Sequence, residues 1–194
     1  DMIHSMIGMA MESGHLPNSE LPAGAGPAVI VIADTYSRGL HNFDVDRAYE
    51  IMRQHAQVEE SDITRHPALA QYDELGYIPY EPEPEQQLTS HARAAEQALA
   101  SVAATLEYAL ADWTMAQMAK ALGKTGDADF FNKRSQNYRH LYDVDSGFFR
   151  ARLTDGAWLE PFDPSVGLYR SAQLPADGAR RHASAWHGAF FVPH

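Results

Sequence analysis

Residues 92–122, ARAAEQALASVAATLEYALADWTMAQMAKAL, decide the fold. This stretch carries two apolar stripes whose members recur at the spacing of helix turns. The stripes are formed by Leu99, Val102, Leu106, Leu110 and Trp113, and by Met115, Met118 and Leu122. A helix that is apolar on two sides is buried between neighbouring elements. The stretch therefore predicts a long central helix, and Gly123 predicts its end.

Two helices are predicted upstream, near the start of the chain. The first covers residues 2–13 and ends near Gly14, and a loop rich in Pro and Gly follows over 15–27. The second is a buried helix over 28–38, with Gly39 as its stop. A buried strand is the alternative for its Val/Ile run, but an apolar stripe continued by Ala33, Tyr36 and Leu40 favours the helix.

Two further helices are predicted before the long one. Asp44 suits the N-cap of a helix that runs to about Gln57. A short helix is expected from Pro67, which suits a first turn, to Leu75, just before Gly76. The run EPEPE at 81–85 then predicts a linker or an exposed loop.

The C-terminal part predicts one more helix and then a change of period. Asp127 is expected to cap a helix with one apolar face. That face is formed by Phe131, Tyr138, Leu141 and Tyr142. Residues 148–153 and 157–159, joined by Thr154-Asp155-Gly156, predict a small β-hairpin with an Asp-Gly turn, and a last helix begins near Ala183.

The fold class that follows is mainly α, with one small β-hairpin. Consecutive helices of this length fit either an α/α toroid or a helix bundle. The chain has no Gly-rich nucleotide-binding loop and no alternation of strands and helices. Both dinucleotide-binding and parallel α/β architectures are therefore disfavoured.

Composition narrows the class of function. The 194 residues carry a net charge of −11, which disfavours nucleic acid as a partner. There is no cysteine, so disulfides and thiolate metal sites are excluded. No apolar run is long enough for a membrane span, and the first residues do not form a signal peptide. The chain starts within an apparent helix and stops abruptly at His194, so we interpret it as a fragment.

Metal-binding patterns in the chain are incomplete. Residues 143–147, DVDSG, imitate the start of a calcium loop, but the Gly and Glu that the loop needs further on are absent. We interpret these residues as a turn after a helix. His182 and His187 are five residues apart, not the three or four of a helical zinc pair, so no metal site is expected within this chain alone.

Three acidic residues on predicted helices have different interpretations. Asp34 lies in an apolar helix, where a buried carboxylate either faces a cavity or makes a structural hydrogen bond in the core. Glu107 and Asp112 lie on the long helix and are expected to cap it or to solvate its polar side.

Several motifs, in order along the chain, resemble those of the family 92 glycoside hydrolases. They are VIADTYSRG at 31–39, YDELGYIP at 72–79, TLEYALADWTMAQMA at 105–119, RSQNY at 134–138 and GFFRAR at 147–152. Phe162-Asp163-Pro164 and the segment 185–194 follow in the family's order. No single piece is specific, but so many in order identify the chain as similar to this family over nearly its whole length.

The resemblance implies a two-domain enzyme, with an N-terminal β-sandwich and a C-terminal (α/α)6 barrel. Residues 1–194 would be one single-domain fragment from the middle of the barrel, a partial (α/α)6 toroid. Family members are secreted or periplasmic and remove terminal α-mannose from glycans with inversion. A calcium ion binds the mannose, an acid protonates the leaving group and a carboxylate activates water. The base and the calcium ligands are expected beyond His194, so the fragment alone is expected to be inactive.

The chain departs from the family where the resemblance places the sugar and the acid. His182 stands at the position of the general-acid Glu. Ser184 and His187 replace an Asn and a Gln beside it, and Ser19 replaces a sugar-contacting Trp. We expect His182 as the catalytic residue, since an imidazolium can donate a proton near neutral pH.

The remaining substrate-binding candidates are Asp34, Ser184, Trp186, His187 and Ser19. Trp186 is the tryptophan best placed for a sugar-binding cleft, whereas Trp113 is interpreted as packing and Trp158 as a cover for the hairpin. Two alternatives to the mannosidase stay open. One is a catalytically degenerate carbohydrate-binding paralogue, and the other is a variant acting on phosphate-linked mannose, whose leaving group needs little protonation.

Overall fold

The structure is a computed structural model that describes residues 2–13, 16, 27–57, 68–81 and 91–164, with side chains of the last range described from Ser101 onward. The described helices are α1 Met2–Ser13, α2 Pro27–Ser37, α3 Val45–Ala56, α4 Leu69–Leu75, α5 His91–Ala121 and α6 Thr125–Arg134. A 3-10 helix, Ser135–Leu141, and two short strands, β1 Tyr142–Asp143 and β2 Phe148–Phe149, follow. The mainly α class is confirmed.

Helix α5 is the central element, as its two apolar stripes predicted. It contacts α2, α3, α6 and the 3-10 helix. The C-terminal half of α5 shares one core cluster with α1, α2, α3 and Phe131. Its N-terminal half packs against Tyr77, Tyr80 and Leu141. Burial on both sides fixes this helix within the fold.

The predicted helix ends are confirmed by their backbone geometry. Gly39, Gly76 and Gly123 have φ angles of 78°, 78° and 72°, the left-handed conformation that glycine adopts most readily after a helix. Asp44 caps α3, because its Oδ1 accepts a hydrogen bond of 3.0 Å from the backbone N–H of Arg47. For α2 the helix is confirmed and the strand alternative is wrong.

Helix α2 is buried on one face only, which corrects the prediction of a buried helix over 28–38. Its buried residues are Ala28, Val29, Ile32 and Ala33. Leu40, expected to extend the apolar stripe, follows the helix end and is 57% exposed. Helix α2 therefore lies on the side of the core with its polar face outward.

The predicted cap of α6 was wrong. Helix α6 begins three residues earlier than a cap at Asp127 would place it, at Thr125, with Lys124 at the N-cap position. Asp127 lies inside the first turn, where its Oδ2 accepts a hydrogen bond of 2.8 Å from the hydroxyl of Tyr49. A contact with α3 thus replaces the local cap.

The predicted apolar face of this helix does not extend past Arg134. The chain tightens into the 3-10 helix, and the hydroxyl of Ser135 donates to the carbonyl of Asn132 at 2.8 Å. Such a local bond competes with regular helix. Leu141 is still buried, but Tyr142 lies in β1 and is 45% exposed.

The β structure is a pair of small turns. Strands β1 and β2 pair antiparallel around a turn that ends at Gly147, with Asp143 opposite Phe148. The predicted hairpin around Asp155-Gly156 forms as a single antiparallel bridge between Arg152 and Trp158. The β1–β2 pairing was not predicted. The predicted helix near Ala183 and all but Leu16 and Pro27 of the loop over 15–27 lie outside the described residues.

Candidate functional site

Of the predicted site residues, the structure describes only Asp34. The other five, Ser19, His182, Ser184, Trp186 and His187, lie outside the described residues, and their roles stay predictions. Asp34 is not buried: its side chain is 54% exposed, and its Oδ2 accepts a hydrogen bond of 2.7 Å from Nε of Arg38. The expected buried carboxylate is therefore wrong, while its role in binding stays a prediction.

The C-terminal end of α2 also carries two stacked rings. The rings of Tyr36 and His41 stack with centroids 4.5 Å apart. Nε2 of His41 lies 2.9 Å from the carbonyl oxygen of Tyr36, which holds the imidazole at the helix end. The exposed Asp34–Arg38 pair offers both acceptors and donors to a polyhydroxy ligand.

Asp112 and Arg134 form a buried ion pair at the centre of the described helices. The guanidinium of Arg134 donates from Nε and NH2 to the two carboxylate oxygens of Asp112, at 2.8 and 2.7 Å. It also donates to Asp73 and to the carbonyl oxygen of Ala56, both at 3.0 Å. One side chain thereby ties α3, α4, α5 and α6 together, and Asp112 does not solvate a polar helix face as expected.

The hydroxyl of Tyr72 completes this network. It lies 3.3 Å from Oδ2 of Asp112 and 3.2 Å from the carbonyl oxygen of Arg134. Burial raises the pKa of Asp112 to about 6 even though the guanidinium of Arg134 opposes that rise. The carboxylate is therefore mostly ionised at neutral pH, and the pair is an ion pair that holds the helices rather than a proton donor.

Glu107 lies in a very different environment on the same helix. Its side chain is half-buried, and no described group donates a hydrogen bond to its carboxylate. Burial raises the pKa of Glu107 to about 7. The expectation that Glu107 solvates a polar side of the helix was therefore wrong. The spacing of residues along α5 did not distinguish Glu107 from the other acidic residues of the chain.

The turn at 143–147 is confirmed as a turn. The carboxylate of Asp143 accepts hydrogen bonds from NH1 of Arg150 at 2.8 Å and from the backbone N–H of Asp145 at 3.1 Å. The bond from Arg150 lowers the pKa of Asp143. Arg150 also binds the carboxylate of Glu160. The guanidinium therefore occupies the carboxylate oxygens that a metal ion would need in this turn.

The ring of Trp158 is covered by the guanidinium groups of Arg152 and Arg150. The guanidinium carbon of Arg152 lies 4.4 Å from the ring centre, and that of Arg150 lies 5.4 Å from it. Cation–π contacts of this kind stabilise the turn region. Trp113, interpreted as packing, is half-buried on α5.

Among the described residues no group of three His, Asp or Glu side chains is arranged to hold a metal ion. The same part of the chain has no helix that is long and apolar enough to cross a membrane.

Two solved mannosidases share the helical arrangement of this chain. An inverting mannosidase of family GH92 from Bacteroides thetaiotaomicron VPI-5482 matches 84% of this chain with a TM-score of 0.66 and 30% identity. A family GH92 α-mannosidase from the same species, solved with mannoimidazole, matches 84% with a TM-score of 0.65 and 31% identity. The chain thus has the mainly helical fold of a GH92 mannosidase, as a partial helical toroid.

Sequence comparison gives the family. Residues 1–194 match the Glycosyl hydrolase family 92 catalytic domain, so the chain belongs to this family. An uncharacterized secreted glycosidase from Arthroderma benhamiae (strain ATCC MYA-4681 / CBS 112371) is 27% identical over 218 residues, which cover 100% of this chain and 27% of that protein. The chain spans about a quarter of this relative and 21% of the first mannosidase.

Proposed function

We propose that the full-length protein containing this chain is an inverting glycoside hydrolase that removes terminal α-linked mannose from glycans. The observation that carries the proposal is the family match over residues 1–194. It is supported by the likeness to two mannosidases at 30% and 31% identity, one of them solved with mannoimidazole. In this proposal His182 donates the proton to the leaving oxygen, and a carboxylate beyond His194 activates water.

Substrate binding is assigned to Asp34, Ser184, Trp186, His187 and Ser19. The exposed carboxylate of Asp34 and its partner Arg38 support this assignment, because such a pair can hydrogen-bond neighbouring sugar hydroxyls. An exposed Asp34 is accessible to a ligand, whereas a core carboxylate would not be.

Calcium dependence and secretion are part of the same proposal. Calcium is expected from the resemblance, but the described residues do not fit a calcium site, because Asp143 is held by Arg150 and no trio of donors is gathered elsewhere in the described ranges. No step is therefore assigned to the metal, and its ligands are proposed to lie beyond this chain. An extracellular or periplasmic location is supported by the relative described as secreted. An N-terminal β-sandwich domain is proposed as the neighbour of this fragment.

The replacement of the family's acid by His182 favours a second candidate. The parent protein would then bind mannose-containing glycans without hydrolysing them, or would act on phosphate-linked mannose. A phosphate leaving group needs little protonation, so the missing Glu would matter less.

The test is hydrolysis of α-mannosides by the full-length protein, compared with His182→Ala and His182→Glu variants. A mannosidase that uses His182 loses activity on a natural disaccharide in the Ala variant and keeps more of it on an activated aryl mannoside. Equal activity of wild type and His182→Ala on both substrates rejects His182 as the acid. Activity on mannose 1-phosphate esters alone supports the phosphate-linked variant, and binding without turnover supports the degenerate paralogue. Chelation with EDTA abolishes activity if calcium is used.

A further inference from the structure

We propose that the carboxyl group of Glu107 contacts the bound sugar and hydrogen-bonds one of its hydroxyls. This inference rests on the proposed function, because it needs a mannose-type ligand in the helical domain. It adds a binding residue on α5 to those assigned from the resemblance.

The position of Glu107 on α5 separates it from the ion-pair network. Glu107 and Asp112 are five residues apart, which places them about 140° apart around the helix. The Asp112 side is filled by Arg134 and Tyr72. Glu107 therefore points away from the side chains that hold α3, α4 and α6 together.

The surroundings of Glu107 are apolar on its own helix. Ala103, Leu110 and Ala111 lie one turn away on the same side, and all three are half-buried. A partly desolvated carboxyl group without a donor costs free energy relative to a hydrogen-bonded one. Asp112, by contrast, receives hydrogen bonds from both Arg134 and Tyr72. Glu107 and Asp112 thus differ in one property that matters for a ligand: among the described residues, only the carboxyl group of Glu107 has no hydrogen-bond donor beside it.

The chemistry of this group fits a sugar hydroxyl. A carboxyl group with a pKa near neutrality is present in both protonated and ionised forms at pH 7. The protonated form donates and accepts, and the ionised form accepts, so either can pair with a hydroxyl. The apolar neighbours suit the C–H faces of a pyranose ring.

The alternative is a structural partner for Glu107 elsewhere in the parent protein. Such a partner would make Glu107 a support for the fold, and its replacement would lower stability without changing ligand affinity. The two hypotheses therefore predict different effects of replacing Glu107. A sugar contact predicts lower ligand affinity, and a structural role predicts a lower free energy of unfolding.

The experiment is calorimetric titration of the full-length protein with methyl α-mannoside, a probe that reports binding with or without turnover. Glu107→Gln is expected to weaken binding a few-fold and Glu107→Ala about tenfold, as for the loss of one hydrogen bond to the ligand. The thermal midpoint of both variants stays at or above that of the wild type. Glu50→Gln, a change at a residue of α3 whose carboxylate accepts a bond from Gln54, is the control and leaves affinity unchanged.

Unchanged affinity in Glu107→Ala overturns the inference while leaving the proposed function standing. A lower thermal midpoint with unchanged affinity shows the structural role instead. A wild-type protein that binds no methyl α-mannoside overturns this inference together with the sugar-binding part of the proposed function.

Discussion

Gly76 and His140 approach each other so closely that a side chain at position 76 would collide with the imidazole. A Cβ built on Gly76 would lie 2.8 Å from both Cδ2 and Nε2 of His140. Gly76 ends α4 with a φ of 78°, and His140 belongs to the 3-10 helix. The glycine therefore serves two purposes: the helix stop and the close packing of these two elements.

Substitution of this glycine is expected to show both effects. Gly39 is the matched control, because it has the same φ of 78° but open space where its Cβ would be. Gly39→Ala should lower the free energy of unfolding by about 1 kcal/mol, the cost of a left-handed alanine. Gly76→Ala should cost about 1 kcal/mol more, and adding His140→Ala should remove that excess in urea denaturation. Equal costs at both glycines contradict a role for His140.

The buried ion pair predicts a large effect of removing its cation. Arg134→Ala leaves Asp112 buried without its partner and should lower the free energy of unfolding by about 3–5 kcal/mol. Arg53→Ala is the control, since Arg53 pairs with Asp127 at 3.2 Å in a partly exposed position and should cost about 1 kcal/mol or less. Urea denaturation of the full-length protein checks both values, and similar costs for the two changes would show that burial does not distinguish the pairs.

The N-cap of α3 predicts that Asp44 contributes more to stability than Asp46. Asp44→Ala removes the acceptor for the N–H of Arg47 and should cost about 1 kcal/mol. Asp46→Ala removes a charge from the first turn of α3 without removing the cap. It should lower the free energy of unfolding by only about 0.3 kcal/mol. The comparison uses thermal unfolding of both variants, and a larger effect at Asp46 would reject Asp44 as the cap.

The raised pKa of Glu107 predicts how stability depends on pH. The folded value of about 7 lies above the ordinary value of 4.5, so the folded state holds the proton more tightly than the unfolded state. The contribution of this group is present in full below pH 4.5 and is lost as the pH rises through 7. Because Glu107 keeps partial contact with solvent, Glu107→Gln should raise the free energy of unfolding at pH 8 by only about 1 kcal/mol.

The measurement is urea denaturation of wild type and Glu107→Gln at pH 5 and pH 8. The wild type should lose more stability between the two values than the variant does. Parallel behaviour of the two proteins would show that Glu107 does not titrate in this range.

The helices could be predicted because their signals are local. The apolar stripes of 92–122, the cap at Asp44 and the stops at Gly39 and Gly123 depend on residues within a few turns. Asp127 shows the limit. A good local cap was predicted, but the hydroxyl of Tyr49, 78 residues away in sequence, binds its carboxylate inside the helix.

The candidate site was harder to predict for a physical reason. Asp34 was expected to be buried because its neighbours are apolar, yet it lies about 200° around the helix from Ile32 and so faces outward. The environments of Glu107 and Asp112 differ because of contacts from distant segments, which spacing along one helix does not encode. The remaining site residues rest on the resemblance alone, and they lie outside the described residues.

The network around Arg134 also sets an order of events during synthesis. Its partners Ala56, Asp73 and Asp112 precede it by 78, 61 and 22 residues, so all of them leave the ribosome before the arginine does. Until residue 134 has emerged, the carboxylate of Asp112 cannot be buried as an ion pair. The hydrogen bonds that link α3, α4 and α5 through Arg134 are also missing. The polar tie between α3, α4 and α5 is therefore completed only after α6 has been made, although the apolar contacts of α5 with α2 and α3 do not need it.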